Sequence, residues 1–166
     1  MNEPTNPSDA NQSSDSTPAT AVHRGQGRIL LMDDDATVRH VGKALLEQLN
    51  YEVAAVANGA EALACYIDAM ESDRPYDVVI LDQTVPGAMG GKDCLAELQA
   101  VDTGVRAIVS SGYSTDPIMA DFANYGFAGV VAKPYQLHEL SETVYGVLQD
   151  GFVQDAGSDS TAFESG

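Results

Sequence analysis

The sequence is organised around Asp77-Val78-Val79-Ile80-Leu81-Asp82, which leads directly into Gln83-Thr84-Val85-Pro86-Gly87-Ala88-Met89-Gly90-Gly91. Four consecutive aliphatic residues are typical of an interior strand of a parallel sheet, because such a strand is buried on both faces. The proline and the glycines behind the run end the strand. Asp82 is therefore expected at the carboxyl edge of the sheet, where ligands bind in open α/β folds.

Other apolar runs also end in polar side chains, and helical patterns separate them. The predicted strands are Arg28–Met32 before Asp33-Asp34-Asp35, 51–56, the stretch 78–82, 106–109 before Ser110-Ser111, and Gly129–Ala132 before Lys133. Apolar residues at helical spacing predict helices over about 37–49, 60–71, 92–100, 116–124 and 136–148. Thr37 and Asp116 are the expected N-caps of the first and fourth helices.

This alternation predicts an α/β fold, a doubly wound five-stranded parallel sheet with strand order 2-1-3-4-5. The strand order places Asp33, Asp34 and Asp82 around the switch point of the sheet. The helical spacing predicts that Val38, Val41, Leu45 and Leu49 face the core from the first helix, and Leu63, Ile67 and Met70 from the second.

Length and composition indicate one domain with two tails. A chain of 166 residues that is 44% hydrophobic can bury one core. Residues 1–26 and 151–166 consist mainly of small and polar residues, so both segments are predicted to be disordered, the second of them acidic. The predicted domain covers residues 27–150.

Charge and targeting signals limit the classes of partner. The net charge of −17 repels phosphate backbones, so we expect no nucleic-acid partner. The amino-terminal residues lack the pattern of a signal peptide, and no apolar run is long enough to span a membrane. Cys65 and Cys94 show no CxxC spacing. These features predict a cytoplasmic protein with reduced thiols and no membrane partner.

The acidic side chains at the sheet edge predict a metal site. Carboxylates held this close repel one another unless a cation lies between them. Oxygen ligands favour Mg²⁺, with Mn²⁺ as an alternative, over zinc. We expect Asp34 to bind the ion directly and Asp33 to bind it through water. Asp82 would then be a nucleophile for phosphoryl transfer, with Ser111 and Lys133 holding the phosphoryl oxygens.

The sequence closely resembles the CheY-like receiver domain of two-component response regulators over roughly residues 28–149. The matching motifs are the first strand with Asp33-Asp34, Leu81-Asp82 with Pro86, Ser110-Ser111-Gly112, and Lys133-Pro134, a pair that usually contains a cis proline. The loop 86–91 resembles receivers attached to hybrid sensor histidine kinases.

The resemblance implies a flavodoxin-like (βα)₅ fold and a signalling role. A sensor histidine kinase or a histidine phosphotransfer protein would donate a phosphoryl group to Asp82, with Lys133 and Ser111 assisting. The backbone carbonyl of Thr84 would be a further Mg²⁺ ligand. The domain would be a phosphoprotein that catalyses only its own phosphorylation and dephosphorylation. As a single-domain response regulator it would signal in a phosphorelay by contact with an unknown downstream protein, and the roles of effector, relay intermediate and phosphate sink stay open.

Three positions depart from the common pattern of the family. The loop after Asp82 is one residue longer, and Gly90 replaces an acidic residue. Ser111 stands where threonine is more usual. Val130 stands where an aromatic residue often carries the signal, so switching is expected to travel through the segment from Ser111 to Phe127 in another way.

Two other functions fit parts of the sequence. Asp33-Asp34-Asp35-Ala36-Thr37 matches the D-x-D-x-T motif of haloacid-dehalogenase-like phosphatases, with Asp33 as nucleophile and Asp35 as acid/base. That family needs an acidic pair after the later lysine, which this sequence lacks, and the assignment gives Asp82 no role. A receiver fold could also serve only as a docking module.

Overall fold

The computed structural model describes residues 22–113 and 115–150, which form five strands and five α-helices. In chain order they are β1 (Arg28–Met32), α1 (Ala36–Gln48), β2 (Glu52–Val56), α2 (Gly59–Glu71), β3 (Val78–Asp82), α3 (Gly91–Val101), β4 (Ala107–Ser111), α4 (Pro117–Asp121), β5 (Gly129–Ala132) and α5 (Leu137–Asp150). The strands form one parallel sheet in the order β2-β1-β3-β4-β5. The predicted doubly wound fold is confirmed.

The central strands are buried on both faces, as their continuous apolar sequences predict. On one face Ile29, Leu31 and Ile80 pack with residues of α1 and α5. On the other face Leu30 and Leu81 pack with residues of α2 and α3. Helices on both faces fix the sheet rigidly, so the residues at the carboxyl ends of its strands are held in defined positions.

The caps of the helices differ in one case from prediction. Asp35, not Thr37, is the N-cap of α1, because its carboxylate accepts hydrogen bonds from the backbone N–H groups of Thr37 and Val38. Asp116 caps α4 as predicted and accepts from the Ile118 N–H at 3.2 Å. The predicted fourth helix is in fact a short α4 followed by a 3₁₀ turn, Phe122–Tyr125.

The buried faces of α1 and α2 agree in part with the predicted ones. Leu49 is buried, and Val38, Leu45 and Leu63 pack half-buried against the core as predicted. Gly42 and Leu46 are buried in α1, whereas Val41 is 42% exposed. A Cβ on Gly42 would lie 2.9 Å from side-chain atoms of both Leu31 and Tyr135, so the small residue is what allows this close packing. In α2 the fully buried residues are Gly59, Ala62, Tyr66 and Ala69, whereas the predicted Met70 is 38% exposed. Among the helices of the described residues, none has the length and apolar character needed to cross a membrane.

Residues 22–26, which the sequence assigns to the amino-terminal tail, pack against the domain. The His23 ring stacks on the Tyr145 ring of α5 with 4.3 Å between centroids. The Gly25 N–H donates to the Leu49 carbonyl at 3.0 Å. Val22 packs against the core on the same side, which supplies apolar contacts that composition alone did not predict. The predicted tails at 1–21 and 151–166 lie outside the described residues.

Replacing Gly90 with alanine should destabilise the domain. A Cβ at this position would lie 2.6 Å from the Gln83 carbonyl oxygen, so the loop after β3 must shift. We expect the free energy of unfolding to fall by about 1–3 kcal/mol. The matched control is Gly146→Ala in α5, where an added Cβ meets nothing within 4 Å and should stabilise the helix by about 0.5–1 kcal/mol. Urea denaturation measures both changes, and equal effects at the two sites would contradict the packing described.

Candidate functional site

A cavity of about 380 Å³ opens at the carboxyl edge of the sheet. Its lining consists of Asp33, Asp34, Asp35, Val38, Asp82, Thr84, Pro86, Gly112, Tyr113 and Lys133. These residues follow β1, β3, β4 and β5, whose carboxyl ends meet here because all four strands are parallel. The topology therefore brings together most of the residues that the sequence singled out.

Three carboxylates form a cluster in this cavity. One oxygen each from Asp33, Asp34 and Asp82 can be chosen so that all three lie within 4.8 Å of one another. Asp33 and Asp82 are buried, with 0% and 2% exposure, while Asp34 is exposed. Two buried acidic groups beside a third create a strongly negative site, which requires a positive partner.

Lys133 supplies one positive charge to the cluster. Its Nζ lies 3.0 Å from Asp33 Oδ2 and 3.0 Å from Asp82 Oδ1, so one ammonium group links the ends of β1 and β3. Burial acts to lower the pKa of Lys133, but the hydrogen bonds and charges of the two carboxylates outweigh it and raise that pKa. The Lys133-Pro134 peptide bond is cis, as the motif predicts.

Asp82 is a buried carboxylate whose surroundings raise its pKa. Burial, reinforced by the charge of Asp33, raises the pKa of Asp82 to about 6, although the hydrogen bond from Lys133 opposes the change. The Thr84 N–H approaches Asp82 Oδ1 at 3.4 Å. The other oxygen, Oδ2, is buried and accepts no hydrogen bond from any described residue. An acceptor without a partner leaves a coordination position for a cation.

The donor set fits a hard divalent cation. All the candidate groups are oxygens, the ligands that Mg²⁺ and Mn²⁺ prefer. Exposed Asp34 and the Oδ2 atom of Asp82 are available for direct contact. Both oxygens of Asp33 are already hydrogen-bonded, one to the Asp35 N–H at 2.9 Å and one to Lys133, which suits contact through water. Thr84 lines the same cavity, where its carbonyl was expected to act.

Ser111 lies apart from the groups that line the cavity. It ends β4 and is 2% exposed, but it is absent from the lining among the described residues. Its Oγ accepts a hydrogen bond from the Tyr113 N–H at 3.1 Å and lies 3.3 Å from Asp116 Oδ2. The predicted hydroxyl is therefore at the correct edge of the sheet but is engaged with the start of α4.

Two polar contacts of the site were not predicted. Arg39 Nη1 donates to the Asp33 carbonyl at 2.8 Å and so fixes the end of β1. The Tyr135 hydroxyl donates to Ser110 Oγ at 3.0 Å, and both groups are buried. The spacing of Arg39, one turn into the helix that follows Asp33, was the available signal for the first contact. No local pattern pairs Tyr135 with Ser110.

The phosphatase alternative loses its acid/base residue in this geometry. Asp35 uses one carboxylate oxygen to cap α1, where it accepts two backbone hydrogen bonds. These two bonds hold the Asp35 carboxylate at the start of α1 as a helix cap. Asp33, the nucleophile in that alternative, is fully buried and hydrogen-bonded on both oxygens.

Comparison with known proteins agrees with the geometry. Residues 29–145 match the family model of the response regulator receiver domain. The chain is 31% identical to the chemotaxis protein CheY of Bacillus subtilis over 118 residues, which cover 70% of this chain and 93% of that protein. It is 28% identical to the sporulation initiation phosphotransferase F of the same organism over 117 residues, which cover 70% of this chain and 90% of that protein.

A solved structure with a similar fold contains Mg²⁺ and BeF. The response regulator TrrA of Thermotoga maritima, in complex with Mg²⁺ and BeF, is 29% identical and superposes with a TM-score of 0.62, over 72% of this chain and 96% of that one. Together with the five-stranded order of the described sheet and the family match over most of the chain, this similarity identifies the domain. The chain belongs to the family of response regulator receiver domains.

Proposed function

We propose that this domain accepts a phosphoryl group on Asp82 and signals through protein contact in a cytoplasmic phosphorelay. The donor would be a phosphohistidine on a sensor histidine kinase or on a histidine phosphotransfer protein. The main support is the arrangement of Lys133, which lies 3.0 Å from both Asp33 and Asp82 and leaves Asp82 Oδ2 without a partner. A structural ion pair alone would not require this unpaired buried acceptor.

The chain's own residues account for the transfer step. An oxygen of Asp82 attacks phosphorus as the phosphorus–nitrogen bond of the donor breaks, and the freed imidazole takes a proton from solvent. Lys133 stabilises charge on the phosphoryl oxygens while Asp33 keeps it in place. A bound Mg²⁺ or Mn²⁺ would add positive charge beside these oxygens. Its ligands would be Asp34, Asp82 and the Thr84 carbonyl, with Asp33 acting through water.

Attack of water on the aspartyl phosphate would restore the carboxylate. The domain would thus catalyse only its own phosphorylation and dephosphorylation, without a separate substrate. Its output would come from a changed surface that a downstream protein contacts. The alternative of a phosphorylation-independent docking module is less well supported, because it gives no role to three clustered carboxylates and the half-buried Lys133 between two of them.

Incubation with acetyl phosphate, a small phosphodonor, tests the proposal. With Mg²⁺ present, intact mass spectrometry should show a gain of one phosphoryl group, and excess EDTA added beforehand should prevent it. Mg²⁺ binding is measured in parallel by calorimetry. A protein that binds Mg²⁺ but takes no phosphoryl group from acetyl phosphate or from a phosphorylated histidine phosphotransfer protein would contradict the proposal. A protein with neither property would work as a docking module.

The affinity for Mg²⁺ should depend on pH. A carboxylate must lose its proton to bind the metal, and burial raises the pKa of Asp82 to about 6. The affinity should therefore be constant above pH 7 and fall by up to about tenfold for each pH unit below 6. Calorimetric titrations at pH 5, 6 and 7.5 measure this change. Asp82→Asn, which has no proton to lose at this position, serves as the control. Equal wild-type affinities at pH 5 and pH 7.5 would refute the predicted pH dependence.

A further inference from the structure

The start of α4 is tied to the hydroxyl group that the phosphoryl group would need. Ser111 Oγ lies 3.3 Å from Asp116 Oδ2, while the other oxygen of the same carboxylate accepts from the Ile118 N–H at 3.2 Å. Asp116 is thus both the N-cap of α4 and a partner of Ser111. One carboxylate joins the end of β4 to the first turn of the next helix.

The Ser111 hydroxyl has one proton and cannot serve two acceptors equally. Besides Asp116, the Tyr113 carbonyl lies 3.4 Å from the same oxygen. A carboxylate is the stronger acceptor of the two, so the proton is expected to point at Asp116. To donate to a phosphoryl oxygen on Asp82, Ser111 must rotate its hydroxyl toward the cavity and release Asp116.

Helix α4 is short enough to respond when Asp116 loses its hydrogen bond from Ser111. It has five residues, Pro117–Asp121, and continues only as a 3₁₀ turn that ends at Gly126 with φ 97°. A helix of this length is not stable on its own and depends on its cap and its packing. Ile118, 2% exposed, anchors the first turn in the core, while Asp116 orients it.

We propose that Asp116 is a positioning residue that competes with the phosphoryl group for the Ser111 hydroxyl and thereby transmits phosphorylation to α4. The inference rests on the proposed function of Asp82. It supplies a route that needs no aromatic side chain at Val130, which is half-buried against the core on the α2 and α3 side of the sheet. Asp116 does not contact the reacting atoms and acts through Ser111.

The test compares binding of beryllium fluoride with Mg²⁺, a phosphoryl mimic, in four proteins. Asp116→Ala removes the competitor and should bind the mimic about fivefold more tightly than the wild type. Asp116→Asn keeps a capping oxygen but is a weaker acceptor, so its gain should be smaller, about twofold. Asp121→Ala removes the same charge from α4, where Asp121 contacts Asn124 and not Ser111, and should leave the affinity unchanged.

Amide hydrogen exchange supplies a second readout on the same proteins. In the wild type, the bound mimic should increase deuterium uptake over residues 116–126. In Asp116→Ala uptake should be high without the mimic and change little when it binds, and Asp116→Asn should resemble the wild type. Equal affinities of Asp116→Ala and wild type, an equal gain in Asp121→Ala, or unchanged wild-type uptake would each overturn the inference. Failure of the wild type to bind the mimic at all would instead overturn the proposed function.

Discussion

Asp82→Asn is expected to reduce phosphorylation by acetyl phosphate to background. The substitution keeps the size and shape of the side chain and one acceptor oxygen, but it removes the nucleophilic carboxylate. The fold should survive and even gain stability. Because burial raises the pKa of Asp82 to about 6, above its unfolded value, the ionised carboxylate destabilises the metal-free fold at pH 7.5. Removing that charge should raise the free energy of unfolding by about 1–2 kcal/mol.

Asp68→Asn is the matched control for this substitution. Asp68 is exposed on α2 and lies outside the cavity lining, so phosphorylation and stability should both stay near wild-type values. Intact mass spectrometry and urea denaturation measure the two properties. Wild-type phosphorylation of Asp82→Asn would show that another residue is the acceptor. A loss of stability would show that the ionised carboxylate is favourable in the metal-free fold.

Lys133→Met should have the second large effect, on both stability and phosphorylation. The change removes the ammonium group that lies 3.0 Å from Asp33 and from Asp82, and it leaves two buried carboxylates facing each other. Without Mg²⁺ we expect the free energy of unfolding at pH 7.5 to fall by about 2–4 kcal/mol. Phosphorylation should slow by at least about a hundredfold, because the developing charge loses a fixed cation.

Added Mg²⁺ should stabilise Lys133→Met more than it stabilises the wild type, since the metal then supplies the missing positive charge. Lys43→Met is the control, because Lys43 pairs with Glu47 on the exposed side of α1 and its loss should cost at most about 0.5 kcal/mol. Thermal denaturation of both variants with and without Mg²⁺ measures these effects. Equal stabilisation of Lys133→Met and wild type by Mg²⁺ would contradict a shared electrostatic site.

The fold and the position of the site follow from local sequence. The side chains of the apolar run before Asp82 point to both faces of a strand, so both faces must be buried. This predicts a central strand. Right-handed connections between parallel strands then bring Asp33, Asp34, Asp82 and Lys133 to one edge. The topology alone brings these residues together, so the cluster could be predicted without knowing any side-chain contact. Its residues lie at the ends of β1, β3 and β5, which are not consecutive strands in the sequence.

The details that the sequence did not predict depend on tertiary packing. The buried face of α1 is set by the fit of Gly42 against Leu31 and Tyr135, and these contacts leave no mark on helical periodicity. The contact of 3.3 Å between Ser111 Oγ and Asp116 Oδ2 was also not predicted, because the local sequence marks Asp116 only as a helix cap. His23 is held by Tyr145, more than a hundred positions later in the chain.

Finding which residue carries the phosphoryl group is the most direct test of Asp82 as the phosphoacceptor. The wild-type protein is incubated with Mg²⁺ and acetyl phosphate, reduced with borohydride to trap any acyl phosphate, and digested for peptide mass spectrometry. We expect the reduced residue to be Asp82, in the peptide that contains the loop after β3. Trapping at Asp33 or Asp34 instead, or phosphoryl incorporation that borohydride does not convert, would contradict this expectation.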